Sequence, residues 1–197
     1  MSHYFIENPA LLTRERELKL EIFGRKFRFL TNNGLFSCDK IDDASLTLLK
    51  NMPPIEGALL DLGCGYGVLG IVLAKVYGLG LTQSDINRVA LSYAKRNAKL
   101  NNVETQAIHS DSFEKIAGRF DNIVLNPPIH AGKATLHRMY EESASHLKNP
   151  GGSLFIVIQK KHGAESTVKK LKEIFLNCDI LYKKKGCFVA RASMQGY

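Results

Sequence analysis

Long apolar runs are absent from this sequence of 197 residues. A helix needs about 20 predominantly apolar residues to cross a bilayer, so we expect no membrane-spanning segment. The N-terminal stretch also lacks an apolar core followed by a small-residue cleavage site, which argues against a secretory signal. These absences favour a cytoplasmic protein with no membrane partner.

Cysteine is scarce, with four residues in all, and no two of them form a C-x-x-C pair. A structural zinc site requires four ligands at closer spacing, so no metal site is predicted. In a cytoplasmic protein the cysteines are expected to be reduced and packed. The sequence also shows no internal repeat, low-complexity tract or long linker.

Basic residues outnumber acidic ones, 27 to 19, which gives a formal net charge of +8 and an isoelectric point near 9.3. A basic surface attracts polyanions through phosphate contacts and counterion release, and this favours a nucleic acid as partner. A cationic surface that serves solubility alone is the alternative. The length and an apolar content of 45% fit one globular domain over residues 1–197.

Two kinds of hydrophobic pattern divide this domain. Residues 1–56 contain a predicted β-hairpin, with a turn at Gly24-Arg25, and a helix over Ile41–Asn51. In residues 57–197, apolar strand-like runs alternate with amphipathic helical runs, which predicts an α/β fold of three layers with a doubly wound, mostly parallel sheet. The predicted strands are Leu18–Phe23, Lys26–Leu30, Ala58–Leu60, Leu79–Ser84, Thr105–Ser110, Asn122–Leu125, Ser153–Ile158, Asp179–Lys183 and Phe188–Ala192, and the later helices are Val68–Tyr77, Arg88–Leu100, Ala134–Leu147 and Ala164–Leu176.

The first strand of this alternation ends in a glycine-rich loop, Asp61-Leu62-Gly63-Cys64-Gly65-Tyr66-Gly67. Alternate glycines let the backbone approach a ligand closely, and the amides of the following helix can face that ligand. The pattern is G-x-G-x-G, unlike the G-x-G-x-x-G of dinucleotide-binding loops, and an acid precedes it. Asp61 suits a ligand with an ammonium group, such as a methionine moiety, whereas a nucleotide-binding loop of another kind is the alternative.

Two further acids stand at predicted strand ends, where ligands of such sheets bind. Asp85, followed by Ile86, comes about 20 residues after the glycine loop, and its carboxylate can accept hydrogen bonds from both hydroxyls of a ribose. Asp111, followed by Ser112, can accept from an adenine amino group, with Phe113 against the ring. Each acid has a plainer alternative, as a helix cap or as the start of a turn.

The tetrad Asn126-Pro127-Pro128-Ile129 follows the fourth strand of the alternation and is the most informative motif. Two prolines stiffen the backbone and remove two donors. The carbonyl of Pro127 then points outward as an acceptor, and the amide oxygen of Asn126 supplies a second. Two acceptors that meet one –NH₂ group fix its protons and turn its lone pair toward an incoming methyl group.

These segments together resemble the class I S-adenosylmethionine-dependent methyltransferases, and most closely the small-methyltransferase-domain family that includes 16S ribosomal RNA guanine-N2 methyltransferases. The resemblance extends over nearly the whole chain. It rests on five segments: Phe29 to Asp42, Leu60 to Gly70, Asp85 to Asn87 with Asn97 and Asn101, Asn126 to Lys133, and Gln159 to Ala164.

The resemblance implies a Rossmann-like sheet of seven strands with a reversed final hairpin, and S-adenosyl-L-methionine as cofactor. It implies that Asn126 and the carbonyl of Pro127 hold the target amine. The cofactor site is predicted to comprise Asp61, Gly63, Cys64, Gly65, Gly67, Asp85, Ile86, Asp111, Ser112 and Asn126.

The chain departs from the pattern at Ile129, where many N-methyltransferases have an aromatic residue that stacks on the base. Phe36 is the candidate to replace it, and a core phenylalanine is the alternative. Other predicted substrate contacts are His130 and Lys133. A basic rim is also predicted, unless it is only a solvated face; its members are Lys160, Lys161, Lys183, Lys184, Lys185 and Arg191.

The predicted function is therefore methylation of the exocyclic N2 of guanine in ribosomal RNA, either free or within the small ribosomal subunit. A protein methyltransferase that acts on a glutamine side-chain amide is an alternative, since that amide also presents –NH₂. An aromatic at position 129 and a long helical N-terminal domain would favour it, and neither is present. The third hypothesis is a noncatalytic RNA-binding module on the same fold.

Overall fold

The computed structural model describes residues 15–148, 150–184 and 186–194. Within them, strands and helices alternate largely as the hydrophobic pattern predicts. The strands are β1 (Glu15–Ile22), β2 (Arg25–Asn32), β3 (Ala58–Leu62), β4 (Gly80–Asp85), β5 (Thr105–His109), β6 (Asn122–Leu125), β7 (Ser153–Gln159), β8 (Asn177–Lys184) and β9 (Cys187–Ser193). The α-helices are α1 (Asp43–Asn51), α2 (Val68–Tyr77), α3 (Arg88–Leu100), α4 (Lys133–His146) and α5 (Ala164–Ile174).

Seven strands form one sheet in the order β5-β4-β3-β6-β7-β9-β8. The five strands from β5 to β7 are parallel, and β9 runs antiparallel between β7 and β8. The predicted seven-stranded methyltransferase sheet with a reversed final hairpin is thus confirmed. The order of the strands reverses between β3 and β6, and such a switch point is where open α/β sheets bind ligands.

The core lies on both faces of the sheet because side chains alternate along each strand. In β3, Leu59 packs in one apolar cluster, and Leu60 and Leu62 pack in the other. The same alternation separates Phe155 from Ile156 in β7. Among the described residues, every helix is too short or too polar to cross a membrane.

The hairpin turn lies one residue before its predicted position. Ile22 pairs with Arg25, so the two turn residues are Phe23 and Gly24 rather than Gly24 and Arg25. Both have positive φ, 53° and 67°, as in the type I′ turn whose twist matches that of the strands. The pattern rules did not predict this turn, because phenylalanine rarely adopts positive φ.

Two asparagines of α3 attach the hairpin to the core. Their side-chain amides form hydrogen bonds with the backbone of β2, as a neighbouring strand would. The side chain of Asn97 accepts from the amide of Leu30 at 2.7 Å, and donates to the carbonyls of Leu30 at 2.9 Å and Tyr66 at 2.8 Å. The side chain of Asn101 likewise accepts from the amide of Arg28 at 3.0 Å and donates to the carbonyl of Arg28 at 2.7 Å. Because Tyr66 belongs to the glycine loop, Asn97 joins the hairpin directly to that loop.

We expect Asn97→Ala to lower the free energy of unfolding by roughly 2–4 kcal/mol, since it leaves three backbone groups without their partner. Lys99→Ala, on the exposed side of the same helix, is the matched control and should change it by less than about 0.5 kcal/mol. Denaturant unfolding followed by circular dichroism measures both. Equal stability of the two variants would contradict the attachment role.

Candidate active site

A cleft of about 1090 Å³ opens at the carboxyl ends of the central strands, a volume at the upper end of small-molecule sites. The glycine loop forms its floor. Its walls are the connector, which we define as residues 33–42 between β2 and α1, and the loop after β6. Most predicted site residues line it: Phe36, Asp61, Gly63, Cys64, Gly65, Asp85, Ile86, Asp111, Ser112, Asn126, Pro127, Pro128, Ile129 and His130.

Asp85 shapes the glycine loop. One of its carboxylate oxygens accepts from the amide of Gly65 and the other from the amide of Asn87, each at 2.8 Å. Asn87 in turn caps α3 through its own side chain. A carboxylate has about four lone-pair sites, so Asp85 retains acceptor capacity for the hydroxyls of a bound ribose.

Asp61 is buried behind the loop, and one of its oxygens accepts from the amide of Gly70 in α2 at 2.8 Å. Burial, reinforced by the negative charge of Asp85, raises the pKa of the Asp61 carboxyl to about 7. A cationic ligand beside these two carboxylates would relieve the cost of holding both charges.

Asn126 stands at the mouth of the cleft with its amide orientation fixed. Its Nδ2 donates to Oδ2 of Asp42 at 2.9 Å and to Oγ of Ser45 at 3.0 Å. Both amide protons are therefore used, and Oδ1 remains as an acceptor. The carbonyl of Pro128 accepts from the amide of Ala131 at 2.8 Å. Within the described residues, no donor approaches the carbonyl of Pro127.

Comparison with known proteins agrees with this geometry. The sequence profile of the methyltransferase small domain matches residues 26–191. The chain belongs to the methyltransferase small-domain family. This family transfers methyl groups from S-adenosylmethionine, so the chain is an S-adenosylmethionine-dependent methyltransferase and the predicted cofactor is confirmed.

Three relatives illustrate the similarity. Protein YbxB of Bacillus subtilis is 37% identical over 96% of this chain and 97% of its own length. Ribosomal RNA small subunit methyltransferase C of Vibrio cholerae is 31% identical over 90% of this chain and 54% of its own. The structure of the T. thermophilus 16S rRNA N2 methyltransferase RsmC, with AdoMet and guanosine, is 29% identical, with a TM-score of 0.80 over 92% of this chain and 51% of its own. The chain thus spans about half the length of these ribosomal RNA methyltransferases.

The glycine loop of this methyltransferase fits a closely approaching cofactor. Gly63 and Gly65 have φ of 66° and 55°, where a side chain would strain the backbone. A Cβ atom added at either would meet no atom within 4 Å, so the missing side chains leave open space in the cleft. Cys64 between them is buried, and burial raises the pKa of its thiol well above the usual range, as expected for a packing residue.

Gly67, predicted to contact the cofactor, does not line the cleft. It precedes α2 with φ of 96°, and a Cβ atom there would lie 2.6 Å from Gln83 and 2.8 Å from Ile71. Its role is therefore close packing of α2 against the sheet. The sequence pattern cannot separate this role from ligand contact, because both require glycine.

The residues predicted to contact adenine are also arranged differently from expectation. Asp111 forms an ion pair with Arg138 of α4, so one of its oxygens already has a partner. Phe113 does not face the cleft but packs in the core, stacked on His146 with ring centroids 4.3 Å apart. Arg138 lines the cleft. It was not predicted, because it lies within α4 and outside every motif that the sequence analysis uses.

The predicted substrate residues divide into two groups. Phe36 lines the mouth of the cleft with 58% of its surface exposed, and His130 also lines the cleft. Phe36 is therefore not a core residue. Lys133, Lys160 and Lys161 are exposed but lie outside the cleft lining. They can meet only parts of a substrate that extend beyond it.

The raised pKa of Asp61 predicts a pH-dependent effect of Asp61→Asn on the protein without cofactor. The folded state holds a proton between pH 3.8 and about 7 that the unfolded state has lost, so wild-type stability falls as pH rises through this window. At pH 8 the variant should be more stable by up to about 4 kcal/mol, from roughly three pKa units at 1.36 kcal/mol each, and near pH 4 the two should be equal. Thermal melts at both pH values measure this.

Asp121→Asn is the control, for which the change in stability at pH 8 should have the opposite sign. Burial opposes the shift, but Lys148 and the amide of Ala58 lower the pKa of Asp121, so its substitution should destabilise at pH 8. Calorimetry should also show that Asp61→Asn weakens S-adenosylmethionine binding. If Asp61→Asn left both stability at pH 8 and cofactor affinity unchanged, the buried-charge role of Asp61 would be wrong.

Proposed function

We propose that this methyltransferase modifies the exocyclic N2 amine of guanine in ribosomal RNA. One observation supports this above the others: Asn126 has both amide protons engaged by Asp42 and Ser45, so its oxygen stands ready as an acceptor at the mouth of a cofactor-sized cleft. A planar –NH₂ group is the complement of that oxygen together with the carbonyl of Pro127.

The names of the relatives agree with this substrate. A ribosomal RNA small subunit methyltransferase C matches most of this chain, and the similar solved structure is that of a 16S rRNA N2 methyltransferase with guanosine. Each is about twice as long as the matched part, so transfer of the complete activity to this chain is part of the proposal.

Positioning is the main catalytic contribution that we assign to the chain. S-adenosylmethionine, when bound, would supply an electrophilic methyl group from its sulfonium, and the C–S bond broken in the transfer would leave the cofactor as a neutral thioether. The side-chain oxygen of Asn126 and the carbonyl of Pro127 each accept a hydrogen bond from one N–H of the amine. These two hydrogen bonds fix the amine plane and direct the nitrogen lone pair at the methyl group. Neither acceptor is a base of useful strength, so the proton lost from the methylated amine passes to water.

The surface around the cleft suits a polyanion. Gln159 and His162 line the cleft, and the short 3₁₀ helix Lys160–His162 places two exposed lysines directly beyond them. The amide of Lys160 donates to the carbonyl of Gly186 at 2.7 Å, which brings the end of β8, with Lys183 and Lys184, to the same edge. RNA phosphates are the natural partner of such a rim.

One member of the predicted rim lies elsewhere. Arg191 donates to Oγ of Ser153 at 2.9 Å, and Ser153 begins β7, at the end of the strand far from the cleft. Lys185 lies outside the described residues. Among the described residues, the proposed rim therefore consists of Lys160, Lys161, Lys183 and Lys184.

Transfer of labelled methyl from S-adenosylmethionine to ribosomal RNA, small subunits and total protein, followed by nucleoside mass analysis, tests the proposal. We expect label in N2-methylguanosine. Asn126→Ala should reduce the rate at least about 100-fold, the usual cost of losing an acceptor or donor that acts on the reacting group. Its cofactor affinity by calorimetry should stay within about twofold, because we assign the side-chain oxygen of Asn126 to the amine and not to the cofactor contact that the sequence also predicts.

Each other outcome selects a different function. Label confined to protein would favour glutamine-amide methylation. RNA binding without transfer to either fraction would favour the noncatalytic module. Near-normal turnover by Asn126→Ala would remove the assigned role of the tetrad.

Phe36 provides a second test, since an exposed ring at the mouth is placed to stack on the target base. Stacking contributes about 1–3 kcal/mol per base, so Phe36→Ala should raise KM for RNA about 5- to 150-fold with unchanged cofactor affinity. Phe23→Ala, which removes another exposed ring that lies at the hairpin turn, is the control and should leave KM unchanged. The same KM in both variants would exclude stacking by Phe36.

A further inference from the structure

A single oxygen of Asp42 connects α1 to the proposed catalytic asparagine. Oδ2 of Asp42 accepts from the backbone amide of Ser45 at 2.8 Å, which caps the first turn of α1. The same atom accepts from Nδ2 of Asn126 at 2.9 Å. Nδ2 of Asn126 also donates to Oγ of Ser45, in the first turn of α1, at 3.0 Å.

The chemistry of these partners decides which end of the amide faces them. An ionised carboxylate accepts hydrogen bonds and has no proton to donate. Only the NH₂ end of Asn126 can therefore face Asp42, and Oδ1 must take the other side. Without this partner the amide could turn by 180° and present NH₂ in place of oxygen.

We propose that Asp42, assisted by Ser45, is a positioning residue that holds the amide oxygen of Asn126 toward the target amine. This inference rests on the proposed methyl transfer. Asp42 is not assigned contact with the reacting atoms and acts through Asn126. A turned amide would set donors against the donors of the target amine, so the reaction would slow while the cofactor still bound.

Three substitutions separate this role from helix capping. Asp42→Ser keeps a good N-cap, but its side chain is too short to reach Asn126. Asp42→Asn retains one oxygen that can occupy the place of Oδ2 and make both contacts. Asp43→Ser is the matched control, because Asp43 is the next residue and its exposed carboxylate pairs only with Lys40 among the described residues.

Kinetics give the first readout. Asp42→Ser should lower kcat for methyl transfer about 10- to 100-fold, with melting temperature and S-adenosylmethionine affinity close to wild type. Asp42→Asn should recover most of the lost rate, and Asp43→Ser should match wild type. In an Asn126→Ala background, Asp42→Ser should have no further effect, since residues that act as one unit are not additive. Additive losses would overturn the positioning role.

The side-chain amide of Asn126 gives a second readout that does not depend on the substrate. In ¹⁵N-labelled protein, its two protons should exchange slowly with solvent in wild type, Asp42→Asn and Asp43→Ser. In Asp42→Ser their signals should shift, and exchange should accelerate at least about tenfold. An unchanged Asn126 signal in Asp42→Ser would refute the inference whatever the activity. Absence of transfer by the wild-type protein, with the expected signals, would instead refute the proposed function alone.

Discussion

The proposed site depends most on the contact between the carboxylate of Asp42, which accepts hydrogen bonds, and the side-chain amide of Asn126, whose two ends differ. Nδ2 of Asn126 donates to Oδ2 of Asp42, and this leaves the amide oxygen as the acceptor for the proposed target amine. Because Asp42 also ends the connector and caps α1, the same contact ties the N-terminal region to the loop after β6.

The N-terminal hairpin acquires a role from this arrangement. Asn97 and Asn101 hold β2 against α3, and the connector leaves β2 at a fixed place. The hydroxyl of Tyr66, in the glycine loop, donates to the carbonyl of Ser37 at 3.2 Å. The connector is thus held at both ends and in the middle, and Phe36 projects at the cleft mouth from an anchored segment. If a base stacks on Phe36 as proposed, ordering of this segment in advance would reduce the entropy lost on binding.

The sequence predicts those features that depend on local patterns. Helix α3 follows from the spacing of its apolar residues, and β6 follows from a short apolar run. Since the carboxyl ends of parallel strands meet at one edge, Asp61, Asp85 and Asn126 could be placed in one site. Contacts between distant elements were not predictable in this way: the partners of Asn126 lie 84 and 81 residues earlier in the chain, and Phe113 turns to His146 rather than to the cleft.

The distribution of charge suits both a cationic cofactor and the proposed polyanionic substrate. The chain has a net charge of +8, yet Asp61, Asp85 and Asp111 all line the cleft. A cationic cofactor would be repelled by the outer surface, so these carboxylates must provide the local attraction, and the raised pKa of Asp61 is the cost of collecting them in a buried place. Two of them are also held by backbone amides, which keeps this negative charge in position. The surplus of positive charge lies outside the cleft, where it would attract the proposed RNA substrate without opposing the negative charge that surrounds the cofactor.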